Sequence, residues 1–297
     1  MTSGPPPGWH LPAPVRRVLR RSVRTGLRVV RRGPLRRPLS RLSYRPVVSA
    51  LCWGIEVVRW RDVNIAVNPG EAHGFHVYFL GDYGHREIDA CIELCQDAHW
   101  FADVGANIGL VSLALARAVP RLEVLAVEPE AALCDWLHFN LSLNPDLARR
   151  VHVVQAAATD RHGPVRFASS PTPRNAGIGH LVSAGTNGAG TREVPGVAIG
   201  AAAEMHGRAL DVVKIDVEGG ELSSLRGVWA GRGLPRGIVI ETHGFTADDP
   251  QAFNRALLDE LTSHGYHVDH MRRDGWARVS DATDVGPRGH LRATLLR

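Results

Sequence analysis

The chain has 297 residues, of which 44% are hydrophobic and 22% charged, which is enough apolar side chain for a sizeable core. No apolar run approaches the roughly 20 residues that a bilayer-spanning helix needs, so we predict no transmembrane helix. The four cysteines form no CxxC pair, which favours a reducing, cytoplasmic setting. The net charge of +5 is concentrated at one end, because residues 1–45 hold twelve arginines and no acidic residue. The remaining chain is mildly acidic, so we expect no nucleic-acid binding by the folded body.

The basic head, residues 1–45, divides into two parts. Residues 1–14 are rich in Pro and Gly and are predicted to be disordered. Residues 15–30 predict an amphipathic helix, because apolar residues recur at helical spacing while arginines fill the other face. Three interpretations stay open for the arginine-rich residues 15–45: a segment that binds a membrane surface or a protein partner, a helix packed on the acidic body, and a solvated tail. The first would place the protein peripherally at a membrane.

Residues 46–99 predict a small lead-in to the main domain. Partial alternation of β-branched residues over residues 55–67 predicts strands, and the apolar run at residues 76–80 predicts another. Residues 87–95 predict a helix with its apolar side chains on one face.

Residues 100–297 show a different rhythm, in which short apolar strands alternate with helices. The predicted strands are residues 100–104, 123–127, 151–156, 211–217 and 237–241. The predicted helices are residues 110–119, 130–143, 221–229 and 250–264. This alternation predicts an α/β fold with a Rossmann-like, doubly wound, mostly parallel sheet. Residues 161–195 interrupt it with Gly, Pro, Ser and Thr and are predicted to form an inserted functional loop or hairpin.

Acidic residues follow four of these strands, at Asp103, Glu128, Asp216–Glu218 and Glu241. Ligands of an open parallel sheet bind beyond the carboxyl ends of its strands. We therefore expect these carboxylates to converge on one binding rim.

The segment Asp103-Val-Gly-Ala-Asn-Ile-Gly109 predicts a tight turn from strand to helix, since Gly105 permits the sharp bend. An acidic Asp103 at this turn would repel a phosphate and attract an ammonium, which favours S-adenosylmethionine over a dinucleotide. Glu128, 25 residues later, can accept hydrogen bonds from both hydroxyls of a ribose.

The segment Lys214-Ile-Asp-Val-Glu-Gly219 contains the only lysine of the chain. Strand alternation would place Lys214, Asp216 and Glu218 on one face. Burying three unpaired charges is costly, so we expect Lys214 to pair with a carboxylate near the rim, although a purely structural ion-pair cluster stays open.

Together these segments resemble the FkbM family of S-adenosylmethionine-dependent methyltransferases over about residues 78–245. The motifs that carry the resemblance are D-x-G-A-N-x-G at Asp103–Gly109, E-P at Glu128-Pro129, Ala157-Ala-Thr-Asp160, K-I-D-V-E-G at Lys214–Gly219 and Ile238-Val-Ile-Glu241. The resemblance implies O-methylation of a hydroxyl on a small molecule, of sugar or natural-product type. The candidate cofactor-binding residues are Asp103, Gly105, Ala106, Asn107, Gly109, Glu128 and Ala157.

An alcohol must lose its proton as it is methylated, so a base or a metal ion is needed. The candidate catalytic residues are Asp216, His243 and Lys214, with His243 as base and with His85 and His180 as rivals for that role. Asp216 and Glu241, at adjacent strand ends, are candidate ligands for Mg²⁺. Two other functions stay open: an NAD-dependent oxidoreductase or epimerase on a similar fold, and a non-catalytic scaffold.

Overall fold

A computed structural model of the chain describes residues 54–169, 179–182 and 190–296, together with three isolated helical positions, Val18, Ser22 and Thr25. The predicted basic head, residues 1–45, therefore lies outside the described residues except at these three positions. Across the described part of the chain, none of the helices combines the length and apolar character needed to cross a bilayer. The described residues divide into two compact units, with residues 54–85 in the first and residues 86–169, 179–182 and 190–296 in the second. The predicted domain boundaries stay predictions.

The described part of the first unit begins with an antiparallel hairpin of β1 (Glu56–Trp60) and β2 (Val63–Val67), which confirms the predicted lead-in strands. Arg61 and Asp62 form its two-residue turn with φ values of 45° and 61°.

The predicted strand at residues 76–80 is wrong. Helix α1 (Ala72–Phe75) continues there as a π-helical turn, His76–Leu80. Helical winding packs the ring of Phe79 against that of Phe75 at a tilt of 41°, with centroids 5.2 Å apart. This packing outweighs the strand preference of the aromatic and β-branched residues.

The second unit contains an eight-stranded sheet with helices packed on it. Its strands are β3 (Trp100–Val104), β4 (Glu123–Val127), β5 (Val151–Val154), β10 (Val212–Ile215), β11 (Gly237–Thr242), β12 (Tyr266–Arg272), β13 (Gly275–Arg278) and β14 (Gly289–Leu295). Its helices are α2 (His85–Leu94), α3 (Leu110–Ala118), α4 (Ala131–Ser142), α5 (Ile199–Met205), α6 (Glu221–Val228) and α7 (Pro250–Ser263). The strand order is β13-β12-β14-β11-β10-β3-β4-β5.

The five strands from β11 to β5 are parallel, which confirms the predicted Rossmann-like α/β fold. Strands β3 and β10 are buried along their whole length, because helices cover both faces. The three antiparallel strands β12, β13 and β14 were not predicted, and β14 lies beside β11.

The predicted insertion is a hairpin rather than a plain loop. Strands β7 (Gly163–Ala168) and β9 (Thr191–Val197) pair antiparallel, while the short strands β6 (Ala157–Ala158) and β8 (His180–Leu181) complete a second sheet in the order β6-β9-β7-β8. The described part of this insertion therefore has a fixed base close to the end of β5.

Candidate active site

The turn after β3 packs directly against the chain that follows β10. Gly105 has φ of +77°, and a Cβ at this position would lie 1.8 Å from the carbonyl oxygen of Asp216. Only glycine satisfies both constraints, since other residues rarely adopt this φ and their Cβ would clash. The structure thus brings the Asp103–Gly109 turn and the Lys214–Gly219 segment together at one edge of the sheet.

Every backbone N–H of this turn from residue 105 to residue 109 is already bonded within the chain. Gly105 and Ala106 donate to the carbonyl of Val127, Asn107 donates to Glu128 Oε2, Ile108 donates to the side chain of Asn107, and Gly109 donates to the carbonyl of Ala106. A pyrophosphate needs such N–H groups free at the start of the helix. The turn therefore fits a nucleoside cofactor without phosphate and disfavours the dinucleotide alternative.

Glu128 lies at the end of β4 with its carboxylate almost fully buried. Its Oε2 accepts from the N–H of Asn107 and its Oε1 from the N–H of Glu130, both at 2.9 Å. Each carboxylate oxygen has a further lone pair, so the group fits the two hydroxyls of a ribose. Burial raises the pKa of Glu128 to about 7, against the opposing effect of these two hydrogen bonds.

Asp103 and Lys214 face each other across neighbouring strands, in register between β3 and β10. Asp103 is fully buried, and its Oδ2 accepts a hydrogen bond of 2.6 Å from Ser112. Lys214 Nζ lies 3.4 Å from Asp103 Oδ1 and 3.3 Å from Asp216 Oδ2, which confirms the predicted pairing of Lys214 with a carboxylate. The contact of Asp103 with a cofactor ammonium stays a prediction.

One detail of the predicted Lys214–Gly219 strand is wrong. Strand β10 ends at Ile215, and Glu218 lies in the following turn with φ of +53°. Glu218 therefore does not share a strand face with Lys214. The tight turn instead directs its carboxylate towards His243, with Glu218 Oε2 lying 3.4 Å from Nε2 of that imidazole.

His243 follows β11 and is fully buried. Its Nδ1 lies 2.6 Å from Glu221 Oε1, at the start of α6. Its Nε2 has no hydrogen-bond partner among the described residues. Burial alone would lower the pKa of His243, but the hydrogen bond to Glu221 and the charges of Glu221, Asp216 and Glu218 outweigh it and raise the pKa above its usual value.

Glu241 is held by two cationic side chains from the C-terminal segment. Its Oε1 accepts from Arg288 Nε at 2.7 Å and lies 2.6 Å from Arg288 Nη2, while His290 Nε2 lies 3.5 Å from Oε2. Burial alone would raise the pKa of Glu241, but His290 and Arg288 outweigh it and hold the pKa far below the usual range. The fully buried Glu87 on α2 lies 4.0 Å from His290.

Four residues of this cluster were not predicted as site residues: Glu221, Arg288, His290 and Glu87. Glu221 could have been found, because it directly follows the K-I-D-V-E-G-G segment at a helix start. Arg288 and His290 gave no signal, since their segment was not predicted as a strand beside β11.

The remaining predicted residues lie in different places. Ala106 is buried in the turn, and Ala157 is buried in β6. His180 is exposed on β8. His85 pairs with Asp82 at 2.8 Å within the first unit. Asp216, Glu218 and Glu241 surround Nε2 of His243, so the structure brings His243, and neither His85 nor His180, into the carboxylate cluster.

Comparison with known proteins decides the family. The family model for the Methyltransferase FkbM domain matches residues 103–268, more than half of the chain. The chain belongs to the FkbM methyltransferase family. This FkbM protein is also 29% identical over 229 residues to methyltransferase sdnD of Sordaria araneosa, covering 65% of this chain and 84% of that protein.

Two solved structures are similar to this FkbM methyltransferase. Methyltransferase FkbM from Methylobacillus flagellatus KT is 18% identical with a TM-score of 0.42, over 66% of this chain and 44% of that one. The O-methyltransferase from Bacillus cereus, solved in complex with SAH, is 13% identical with a TM-score of 0.44, over 72% of this chain and 83% of that one. The chain thus spans less than half the length of the Methylobacillus protein.

Membership of a methyltransferase family agrees with S-adenosylmethionine as the expected methyl donor. The residues present fit that donor, because Glu128 offers ribose acceptors and the Asp103–Gly109 turn offers no free N–H for phosphate. Which of the predicted residues contact the donor stays a prediction.

Proposed function

We propose that this FkbM methyltransferase methylates a hydroxyl oxygen of a small molecule of sugar or natural-product type. The proposal is supported by the environment of the buried His243 imidazole. Glu221 fixes its Nδ1, while its Nε2 faces three carboxylates, those of Asp216, Glu218 and Glu241. A hydroxyl must be activated before it attacks a methyl group, and this cluster supplies that chemistry next to the cofactor turn.

The donor supplies an electrophilic methyl group on a sulfonium. In the transfer, the acceptor oxygen forms a bond to the methyl carbon, while the sulfur–methyl bond breaks and its electron pair stays on sulfur. The hydroxyl proton leaves through the His243 cluster. Nε2 is suited to this in either of two ways: it can take the proton directly, or it can hold a cation that acidifies the hydroxyl.

Lys214 has a positioning role in this proposal. Its ammonium lies between Asp103 and Asp216, so it ties the end of β3 to the residue that follows β10. The cofactor turn (Asp103–Gly109) and the acceptor cluster (His243 with Asp216, Glu218 and Glu241) are therefore held at a fixed separation. Methyl transfer depends mainly on such alignment of the two reactants.

The position of Phe245 favours an acceptor molecule that has an apolar face. It lies two residues after His243, its ring meets the imidazole edge-on at 5.7 Å, and it is 53% exposed. An exposed aromatic ring beside a reactive group can stack against the C–H face of a sugar or the ring of a natural product.

The test uses methyl-labelled S-adenosylmethionine with a panel of sugars and phenolic or polyketide-type alcohols. Each acceptor is paired with the same compound carrying a blocked hydroxyl. We expect label in an O-methyl product, identified by mass spectrometry and NMR, only with free hydroxyls. Label on nitrogen or carbon would overturn the proposal. Thermal shifts with S-adenosylmethionine, S-adenosylhomocysteine and NAD test the donor separately, and stabilisation by NAD alone would contradict it.

A further inference from the structure

The ends of β10 and β11 carry more negative than positive charge. Among the described residues the cluster holds the carboxylates of Glu87, Asp103, Asp216, Glu218, Glu221 and Glu241. The basic side chains outside His243 that contact them are Lys214, Arg288 and His290, which are fewer than the carboxylates. A buried excess of carboxylate is costly unless a further positive charge compensates it.

The geometry around His243 indicates where that charge belongs. Nε2 lies 3.4 Å from Glu218 Oε2, 3.7 Å from Glu241 Oε1 and 3.8 Å from Asp216 Oδ1. A protonated imidazole would hold one carboxylate at about 2.7–2.9 Å, as charge-assisted hydrogen bonds do. The distances are too long for that, and the shortest of them equals the separation of about 3.4 Å between two atoms that bind one tetrahedral ion at about 2.1 Å.

The other ring nitrogen is fixed as a metal ligand requires. Glu221 Oε1 lies 2.6 Å from Nδ1, and both side chains are fully buried. A carboxylate that accepts the Nδ1 proton leaves the Nε2 lone pair to face the cluster, which is the usual arrangement of a metal-binding histidine. Arg288 fixes the Glu241 carboxylate through Oε1, the oxygen that lies 3.7 Å from Nε2.

From this geometry we infer that Asp216, Glu241 and His243 bind a divalent transition-metal cation, for which Mn²⁺ serves as the spectroscopic probe. One ligand atom from each of the three lies within 4.8 Å of the others, and Glu218 can supply a fourth. Mg²⁺, the ion expected from the carboxylates alone, binds oxygen and seldom imidazole. The buried histidine ligand therefore changes the expected ion.

This inference rests on the proposed function for its role in catalysis, although not for the binding itself. The side chains of Asp216 and Glu218 are 20% and 18% exposed, so one side of the cluster is open to an acceptor. A hydroxyl that reaches a cation there becomes more acidic. His243 then acts as a ligand, and a direct role as base is the alternative outcome.

The test needs neither donor nor acceptor. Untagged full-length protein is freed of metal with a chelator, and Mn²⁺ is titrated while the electron paramagnetic resonance signal of free Mn²⁺ is recorded. We expect one Mn²⁺ site per chain. In competition, the affinity for Mg²⁺ should be at least about tenfold lower. H243A and D216N should each weaken binding at least about tenfold, and E221Q about 10- to 100-fold.

His162→Ala is the matched control, since it removes an exposed imidazole elsewhere and should bind Mn²⁺ like the unmodified protein. Binding of S-adenosylmethionine, measured by calorimetry, shows that each variant is folded. If H243A does not fold, D216N takes its place as the variant that tests metal binding. Absence of Mn²⁺ binding, or equal binding by H243A, overturns the inference. If methyl transfer to a hydroxyl persists in EDTA, the metal site is rejected and the proposed function stands. If Mn²⁺ binds but no hydroxyl is methylated, the proposed function is rejected and the metal site stands.

Discussion

The two ends of the candidate site satisfy their polar groups in opposite ways. At the cofactor end, the N–H groups of the turn and the Glu128 carboxylate are bonded within the chain, and Asp103 is tied to Lys214 and Ser112. At the acceptor end, carboxylates crowd around a buried imidazole nitrogen that has no partner among the described residues. A preorganised region suits binding, whereas an electrostatically unsatisfied one suits chemistry.

The largest expected effect is at the acceptor end. H243A should lower kcat for methyl transfer by about 10²- to 10⁴-fold, because the group that activates the hydroxyl is lost. Its Kd for S-adenosylmethionine should stay within about twofold, since the imidazole belongs to the other end of the site. Steady-state kinetics and calorimetry check both values, with H162A as the control. A parallel loss of donor binding would show that the two ends are not separable.

Gly105, in the Asp103–Gly109 turn, should not tolerate a side chain. G105A should lower the free energy of unfolding by about 3 kcal/mol or more, since its Cβ would meet the carbonyl of Asp216 and its φ of +77° is strained. Gly207 is a matched control, with φ of +73° and no atom within 4 Å of an added Cβ. G207A should cost only about 1 kcal/mol from backbone strain. Urea denaturation measures the difference, and equal costs would contradict the close packing.

The donor affinity should depend on pH through Glu128. Because burial raises the pKa of this carboxyl to about 7, the free protein carries a proton there at lower pH. Ribose hydroxyls donate to the ionised form, so that proton must leave before binding. The Kd for S-adenosylmethionine should therefore rise about tenfold from pH 8 to pH 6. E128Q should bind more weakly at pH 8 and lose this dependence, and a pH-independent Kd in the unmodified protein would oppose the assignment.

The smallest expected effect is at the rim. F245A should raise the acceptor KM by about 3- to 10-fold with little change in kcat, because stacking on an aromatic ring is worth about 0.5–1.5 kcal/mol. Phe139, which is 45% exposed on α4, provides the control variant F139A. The comparison needs an acceptor identified by the labelling experiment. A change in kcat as large as that in KM would give Phe245 a different role.

The fold class and the elements around the Asp103–Gly109 turn could be predicted from the amino-acid sequence. Strands β3 and β4 begin and end at the predicted residues, because short apolar runs bounded by charged, Gly or Pro residues are local signals. The strand-end carboxylates were predictable for the same reason, since a parallel sheet brings the carboxyl ends of its strands together.

The pairing of these charges depends on long-range packing and could not be predicted. Arg288 and His290 reach Glu241 because β14 lies antiparallel to β11, and His290 stands opposite Glu241 in that register. Glu221 reaches His243 because α6 starts beside the end of β11. Long-range register has no local sequence signal. The sequence therefore indicates which groups lie at the ends of the strands. The packing of the strands and helices places Nε2 of His243 beside three carboxylates.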